Sequence, residues 1–244
     1  KARRDEARKT HQEALDAGDF ALAQKMAQRI ISYTPEMVEE TKQLLDLLGV
    51  PWVAAKAEGE GQAAVMAKIG QLDAVATQDW DALLYGTPVL IRNMMTAGNK
   101  QHGRVVKAQK IVLEDLLGQH ELSRDQLIDL AIMIGTDFHP GIRGIGPKTG
   151  IKLIKQFGDI ETICAEKDKE VPQRLDEIRE IFRNHPSNEV SSDALQMGEI
   201  DVAGLKQFLQ VDRQFSQRRM DNAMEKLTNA GLIRESGQTS LFSF

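Results

Sequence analysis

Cysteine is almost absent from this chain of 244 residues. The single Cys164 excludes an internal disulfide and fits a reducing compartment. No apolar run approaches the roughly 20 residues that a membrane-spanning helix needs, and no stretch reads as a signal peptide, so the cytoplasm is the expected location. An excess of basic charge is missing as well. The net charge of −5 argues against a uniformly basic surface and leaves only local patches for polyanions. There is no internal repeat and no long low-complexity tract. An initiator Met is also lacking: the chain begins at Lys1 inside a helical pattern, which leads to the expectation of further sequence upstream. What is present, 41% hydrophobic and 27% charged residues, suits one large or two small domains with a real core.

Along the chain, residues 2–31 form a charged, Ala-rich helical pattern broken at Gly18-Asp19, as two helices joined by a tight turn would be. Thr34-Pro35-Glu36 supplies an N-cap, a first-turn proline and a first-turn acid, opening a helix that stops at Gly49. "PWVAA" (51–55) reads as a buried strand, 61–70 as a helix and "LDAVAT" (72–77) as the next strand. That order predicts an α/β fold with a parallel sheet, in which ligands bind at the carboxyl ends of strands. Residues 123–135 read as a helix with Ser123 and Gln126 in capping-box positions. Residues 148–230 read as mostly helical, interrupted by a polar loop at 185–199. Lys100, His102, Arg104 and Lys107 mark 93–107 as an exposed basic loop. His120 and His185 are expected at the surface, and Trp52 and Trp80 in packing rather than base stacking.

"ATQDWDALLYG" (76–86) places Asp79 and Asp81 two positions apart, on one face of an extended chain, with Trp80 turned the other way. Glu58 and Glu60, in the turn before the helix near Gly61, and Asp137, just after the helix end at Gly135, are expected at the same edge. Each has a bland alternative: acids suit helix N-termini, and Asp suits the turn after a helix. Together, five converging carboxylates would raise one another's pKa values and cost several kcal/mol unless a cation joined them. With no Cys or His pair nearby, oxygen ligands alone point to Mg²⁺ or Mn²⁺. Two such ions about 3.5–4 Å apart are a standard device for phosphodiester hydrolysis.

"GIRGIGPKTGIKLIKQFG" (141–158) puts Gly144 and Gly146 in a tight turn that leads into a basic helix. Backbone N–H groups there can approach a phosphate closely, and Lys148, Lys152 and Lys155 follow at helical spacing. Such a device would hold DNA without reading its sequence.

"EGEGQAA", "TQDWDALLYG", "GTDFHPGIRGIGPKTG" and "QTSLFSF" together resemble the flap endonucleases of the structure-specific 5′ nuclease superfamily, most nearly the archaeal branch, in the family's order and across the whole chain. The resemblance implies an α/β, parallel-sheet nuclease core incomplete at its N-terminus, with a helical arch and a helical DNA-binding region containing a helix-two-turn-helix. It divides the chain into an arch segment (1–33), a nuclease core (34–137), a helical DNA-binding region (138–235) with a K⁺-type hairpin at 141–150, and a clamp-binding tail (236–244).

On that resemblance Glu58, Glu60, Asp79, Asp81 and Asp137 are metal and catalytic residues for two Mg²⁺ ions, with Mn²⁺ as an alternative. Gly144, Gly146, Lys148, Lys152 and Lys155 meet duplex DNA beside a K⁺ ion, and Lys1, Arg3, Arg4 and Arg8 meet the flap's single strand. The expected substrate is branched double-stranded DNA with a 5′ flap, cut in replication and repair by a monomer in the cytoplasm of an archaeal cell. Two further acidic ligands of the family fall outside this sequence, which implies a weak or inactive fragment. Gln238, Leu241, Phe242 and Phe244 carry the Q-x-x-L-x-x-F spacing of a peptide that docks on the sliding clamp, PCNA. Two alternatives stay open: another superfamily member, such as a 5′ exonuclease or junction resolvase, and a non-catalytic DNA- and clamp-binding scaffold.

Overall fold

The computed structural model describes residues 2–30, 34–101 and 104–233. In chain order it holds helices α1 (Ala2–Asp16), α2 (Phe20–Ile30), α3 (Pro35–Leu47) and α4 (Gly59–Lys68), then strand β1 (Val75–Ala76), helix α5 (Asp81–Leu84) and strand β2 (Val89–Arg92). Strands β3 (Lys100–Gln101), β4 (Arg104–Val105) and β5 (Gln109–Val112) follow. The rest is helical: α6 (Leu113–His120), α7 (Arg124–Ile134), α8 (Pro147–Phe157), α9 (Ile160–Glu166), α10 (Leu175–Arg183), α11 (Val202–Lys206) and α12 (Gln217–Asn229). Among the described residues no helix is long and apolar enough to cross a membrane.

The chain divides into two compact units, Val53–Ser192 on one side and Lys1–Trp52 with Asp193–Phe244 on the other. In the second of these, the segment after Ser192 returns to pack with α3. In that second unit, α1 and α2 form a helical hairpin with Ala7, Ala14, Ala23 and Met26 buried. Helix α3 opens as its sequence predicts: the Thr34 hydroxyl accepts the Met37 N–H at 3.3 Å, and Pro35 takes the first helical position. Its C-terminal end is tied to the returning segment through Gly198 N–H to Gly49 O (2.7 Å) and Asp201 N–H to Leu47 O (2.9 Å).

The Val53–Ser192 unit carries the sheet. Its strand order is β1-β2-β5, with β1 parallel to β2 (Val75↔Leu90) and β2 antiparallel to β5 (Leu90↔Ile111). The sheet is therefore mixed, not parallel throughout. Residues 51–55 form no strand: half-buried and exposed positions alternate there, but no ladder partner is present among the described residues. A backbone that cannot pair with a neighbour finds other acceptors and donors; Ala54 O accepts from Asn188 Nδ2 at 2.7 Å. The expected basic loop at 93–107 contains the short β3–β4 hairpin.

Helix α7 is the central rod. Its capping box forms in full, with the Ser123 hydroxyl accepting from Gln126 N and Gln126 Oε1 accepting from Ser123 N. Ile128, Ile132 and Met133 from α7 are fully buried with Ile154, Ile160, Ile163 and Phe182. A second cluster, Val75, Ala82, Leu83, Leu90 and Leu113, lies under the sheet. Arg124 binds these layers together by donating to Leu84 O (2.9 Å) and Phe182 O (2.6 Å), which fixes the end of α5. Two rigid supports for the acidic residues follow from this: β1 leads into Asp79 and Asp81, and α7 ends just before Asp137.

Candidate active site

Glu58, Glu60, Asp79, Asp81 and Asp137 line one cleft of about 30 Å³, together with Tyr85 and Phe138. All five acids expected from the sequence thus meet in the same unit. The cleft has room for ions or a few water-sized groups and is far too small for an organic ligand. A larger cavity, about 710 Å³, lies in the other unit and is lined mainly by Leu48, Val50, Met197, Ile200, Val202 and Leu227. It offers apolar surface but no convergent reactive groups, so the small acidic cleft is the site of interest.

Each acid is held by a different local device. Glu58 is the N-cap residue of α4, yet its side chain makes no capping bond. Its carboxylate is therefore not used up by its own helix. Glu60, in the first turn, accepts from the Thr77 hydroxyl at 3.3 Å. The same hydroxyl accepts the Asp79 N–H at 3.1 Å, and Asp79 Oδ1 accepts the Asp81 N–H at 3.0 Å. Thr77, which the sequence reading passed over, therefore links the two acid pairs. Asp137 sits in a tight turn closed by Thr136 N–H to His139 O at 2.8 Å.

The strand geometry expected for "QDWD" is not adopted. Residues 79–81 form a side-chain-closed turn, Trp80 is in the right-handed helical region (φ −77°, ψ −19°), and α5 begins at Asp81. A short acid's tendency to bond its own backbone two residues on explains the difference. Consequently Trp80 does not turn into the core; it is 48% exposed and stacks on the Arg92 guanidinium.

Electrostatically the cleft is strained by its own charges. Burial, then Asp79, Asp137, Glu60 and Glu58, push the Asp81 carboxyl up to about 6. Burial and the surrounding carboxylates also push the Tyr85 hydroxyl well above its ordinary value. Among the described residues, no Lys or Arg lines the cleft. Among the described residues, no three His, Cys, Asp or Glu side chains already stand as a group able to hold a metal ion. The donor set fits a hard divalent cation, since it is all oxygen and its own repulsion is what such an ion would remove.

Behind the cleft, Tyr85 packs between Phe182 (5.2 Å) and His185 (4.8 Å). His185 is buried, not at the surface as expected, and neither ring nitrogen has a hydrogen-bond partner among the described residues. A Cβ on Gly61 would collide with the His185 ring, so glycine lets α4 approach this closely. His120 is half-buried. Trp52 is 40% exposed, with Lys42 over its ring and its Nε1 donating to Asp46.

The glycine turn also forms. Gly144 has φ +88°, a conformation natural to glycine, and Gly146 is the extended N-cap of α8 with Pro147 at the first position. Lys148 and Lys152 are exposed on α8, whereas Lys155 is paired with Glu121 at 3.0 Å. The side chains of Arg3 and Arg4, Lys1 itself, and the tail residues Gln238, Leu241, Phe242 and Phe244 lie outside what the structure describes.

Comparison with known proteins agrees with this arrangement. Residues 49–137 match the family model of the XPG I-region. Flap endonuclease 1 of Methanosarcina acetivorans is 41% identical over 244 residues, covering 96% of this chain and 71% of that protein. Flap endonuclease 1 of Methanosarcina barkeri is 42% identical, covering 86% of this chain, which spans 63% of the relative's length. The structure of flap endonuclease-1 from Methanococcus jannaschii superposes with a TM-score of 0.68 at 37% identity, covering 87% of this chain and 63% of that one. The catalytic core of Rad2 in complex with DNA substrate has the same fold, with a TM-score of 0.68 at 20% identity, covering 80% of this chain and 71% of that one. With the acids gathered at one edge and relatives of this similarity, the chain belongs to the flap endonuclease 1 family of structure-specific 5′ nucleases.

Proposed function

We propose that the acidic cleft is the catalytic centre of a divalent-metal-dependent flap endonuclease that hydrolyses a phosphodiester of branched DNA near the base of a 5′ flap. One observation carries the reading: five carboxylates share a cleft of about 30 Å³ with no lysine or arginine among its lining residues. Glu58, Glu60 and Asp79 would hold one or both ions directly, with Asp81 and Asp137 serving the second in part through water. Mg²⁺ is the expected metal and Mn²⁺ the substitute. Bound there, the ions would supply an activated water and charge stabilisation of the leaving oxygen. The chain's own residues orient the acids: Thr77 joins Glu60 to the Asp79 backbone, and Tyr85 closes the rear wall.

The turn at Gly144 and Gly146 and the exposed Lys148 and Lys152 support backbone gripping of duplex DNA beside a K⁺ ion. Lys155 contributes less there, because it already neutralises Glu121. Arg3 and Arg4 are proposed to contact the flap, and the Gln238–Phe244 peptide to dock on the sliding clamp, the chain acting as a monomer. Residues 1–244 carry five of the family's acidic ligands, and we expect them to cleave weakly by themselves.

Incision of a labelled 5′-flap duplex with Mg²⁺ or EDTA, by the chain and by its D79N/D81N form, tests this. Weak Mg²⁺-dependent incision that the double substitution removes, with DNA binding in EDTA retained, is the expected result. Cleavage that persists in D79N/D81N would contradict the site. Robust cleavage by the unsubstituted chain would overturn only the statement about weak activity. Flap binding without any incision would favour the scaffold reading.

A further inference from the structure

Trp80 belongs to the acid turn, yet holding the carboxylates does not require an indole. It is 48% exposed. One ring face is covered by Arg92, whose guanidinium carbon stands 4.0 Å from the ring centroid. Arg92 is itself anchored, because its Nη2 donates to Gln78 O at 2.9 Å. The backbone beneath the indole is fixed as well, by the Asp81 N–H bond to Asp79 Oδ1 at 3.0 Å. A large flat side chain is thus braced on one face, exposed elsewhere, and presented by the same three-residue turn that presents two acids to the cleft.

The cleft, at about 30 Å³, admits ions, water and phosphate oxygens but no base. The bases flanking a phosphate held there must lie on the surface around it. An exposed tryptophan is the side chain best suited to meet one, since every base offers a π-face and stacking is indifferent to sequence. An arginine behind the ring adds a cation–π contact that holds the platform in place.

We propose that Trp80, braced by Arg92, is a stacking platform for a nucleobase next to the phosphodiester at the acid cleft, and so a substrate-positioning residue. The inference rests on the nuclease reading above and adds to it how the strand is aligned.

The W52F chain leaves Trp80 as its one tryptophan. Trp52 is partly exposed, so that exchange is compatible with folding. The chain is titrated in EDTA with a fluorescein-labelled 5′-flap duplex, following anisotropy for binding and indole emission for stacking. Quenching at saturation is expected, and abasic nucleotides on both sides of the junction should remove it. W80A should bind the intact flap about tenfold or more weakly, W80F should stay near the parent, and W80L, apolar but without a ring, should behave like W80A. Anisotropy that rises with unchanged emission, or W80L binding like the parent, would overturn the platform and leave the nuclease reading standing. No rise in anisotropy would remove both.

Discussion

Two groups of carboxylates in the Val53–Ser192 unit meet opposite fates. Asp129, Glu161 and Asp176 surround Arg179, whose guanidinium donates to Asp129 at 2.7 Å, to Glu161 at 2.6 Å and to Asp176 at 3.2 Å. Around Glu58, Glu60, Asp79, Asp81 and Asp137, no lysine or arginine lines the cleft among the described residues. The first group brings its own cation and welds α7, α9 and α10 together, Asp129 also accepting the Ile160 N–H. Those contacts hold the Glu161 carboxyl below its usual range and raise the guanidinium's already high affinity for its proton. In the second group, burial and neighbouring acids push Asp81 the other way, up to about 6. On the proposed reading, the counter-charge of this cluster comes from a bound divalent cation. On that reading, the acids of the fold and the acids of the proposed site differ in whether the fold supplies the counter-charge.

The comparison breaks most sharply if the two groups are neutralised in turn. D79N/D81N should lower Mg²⁺-dependent flap incision on the order of 10³-fold, through loss of several kcal/mol of transition-state stabilisation. Its melting temperature should hold or rise, because repulsion is removed. Quantified incision beside a thermal melt checks both halves.

The reverse outcome is expected at the other group. R179M should destabilise the fold by about 3–5 kcal/mol, since the buried Asp129 keeps the Ile160 N–H but loses its counter-charge. R179M/D129L should recover much of that loss in urea unfolding. If R179M left stability unchanged, the contrast between the groups would fail.

Both groups depend on α7, which carries Asp129 and leads into Asp137. S123A removes its capping hydroxyl and should cost about 1 kcal/mol in the same urea assay.

The smallest effect concerns pH. Arg179 depresses the folded pKa of Glu161 below its ordinary value of 4.5, so the stability it adds is present above that value and is lost as pH falls through the lower folded pKa. Glu161 is half exposed, so the effect is modest. E161Q should flatten that acid limb of the urea midpoint against pH, and an unchanged profile would count against the linkage.

Much of this was legible in the sequence wherever the signal was local. Thr34-Pro35 and the Ser123–Gln126 box each act within one helical turn, and both form as expected. The five acids were legible because each lies just past a helix boundary or strand end. Residues 51–55 have strand-like composition, but a strand exists only with a partner, which composition does not reveal. At 79–81 the alternation rule assumed an extended chain, and the Asp79 side chain bent it into a turn that leaves Trp80 in solvent. His185 is buried by Gly61 and Tyr85, and Arg179 is joined to Asp129 and Glu161, all far from them in sequence. Nothing in the local pattern distinguishes those residues from ordinary surface polar side chains.

The central claim is that the acidic cleft takes its positive charge from a divalent cation. Calorimetric titration of Mn²⁺ into the chain and into D79N/D81N near neutral pH tests it most directly. Saturable binding by the parent that the double substitution abolishes is expected; no binding by the parent, or the same isotherm from both, would contradict it.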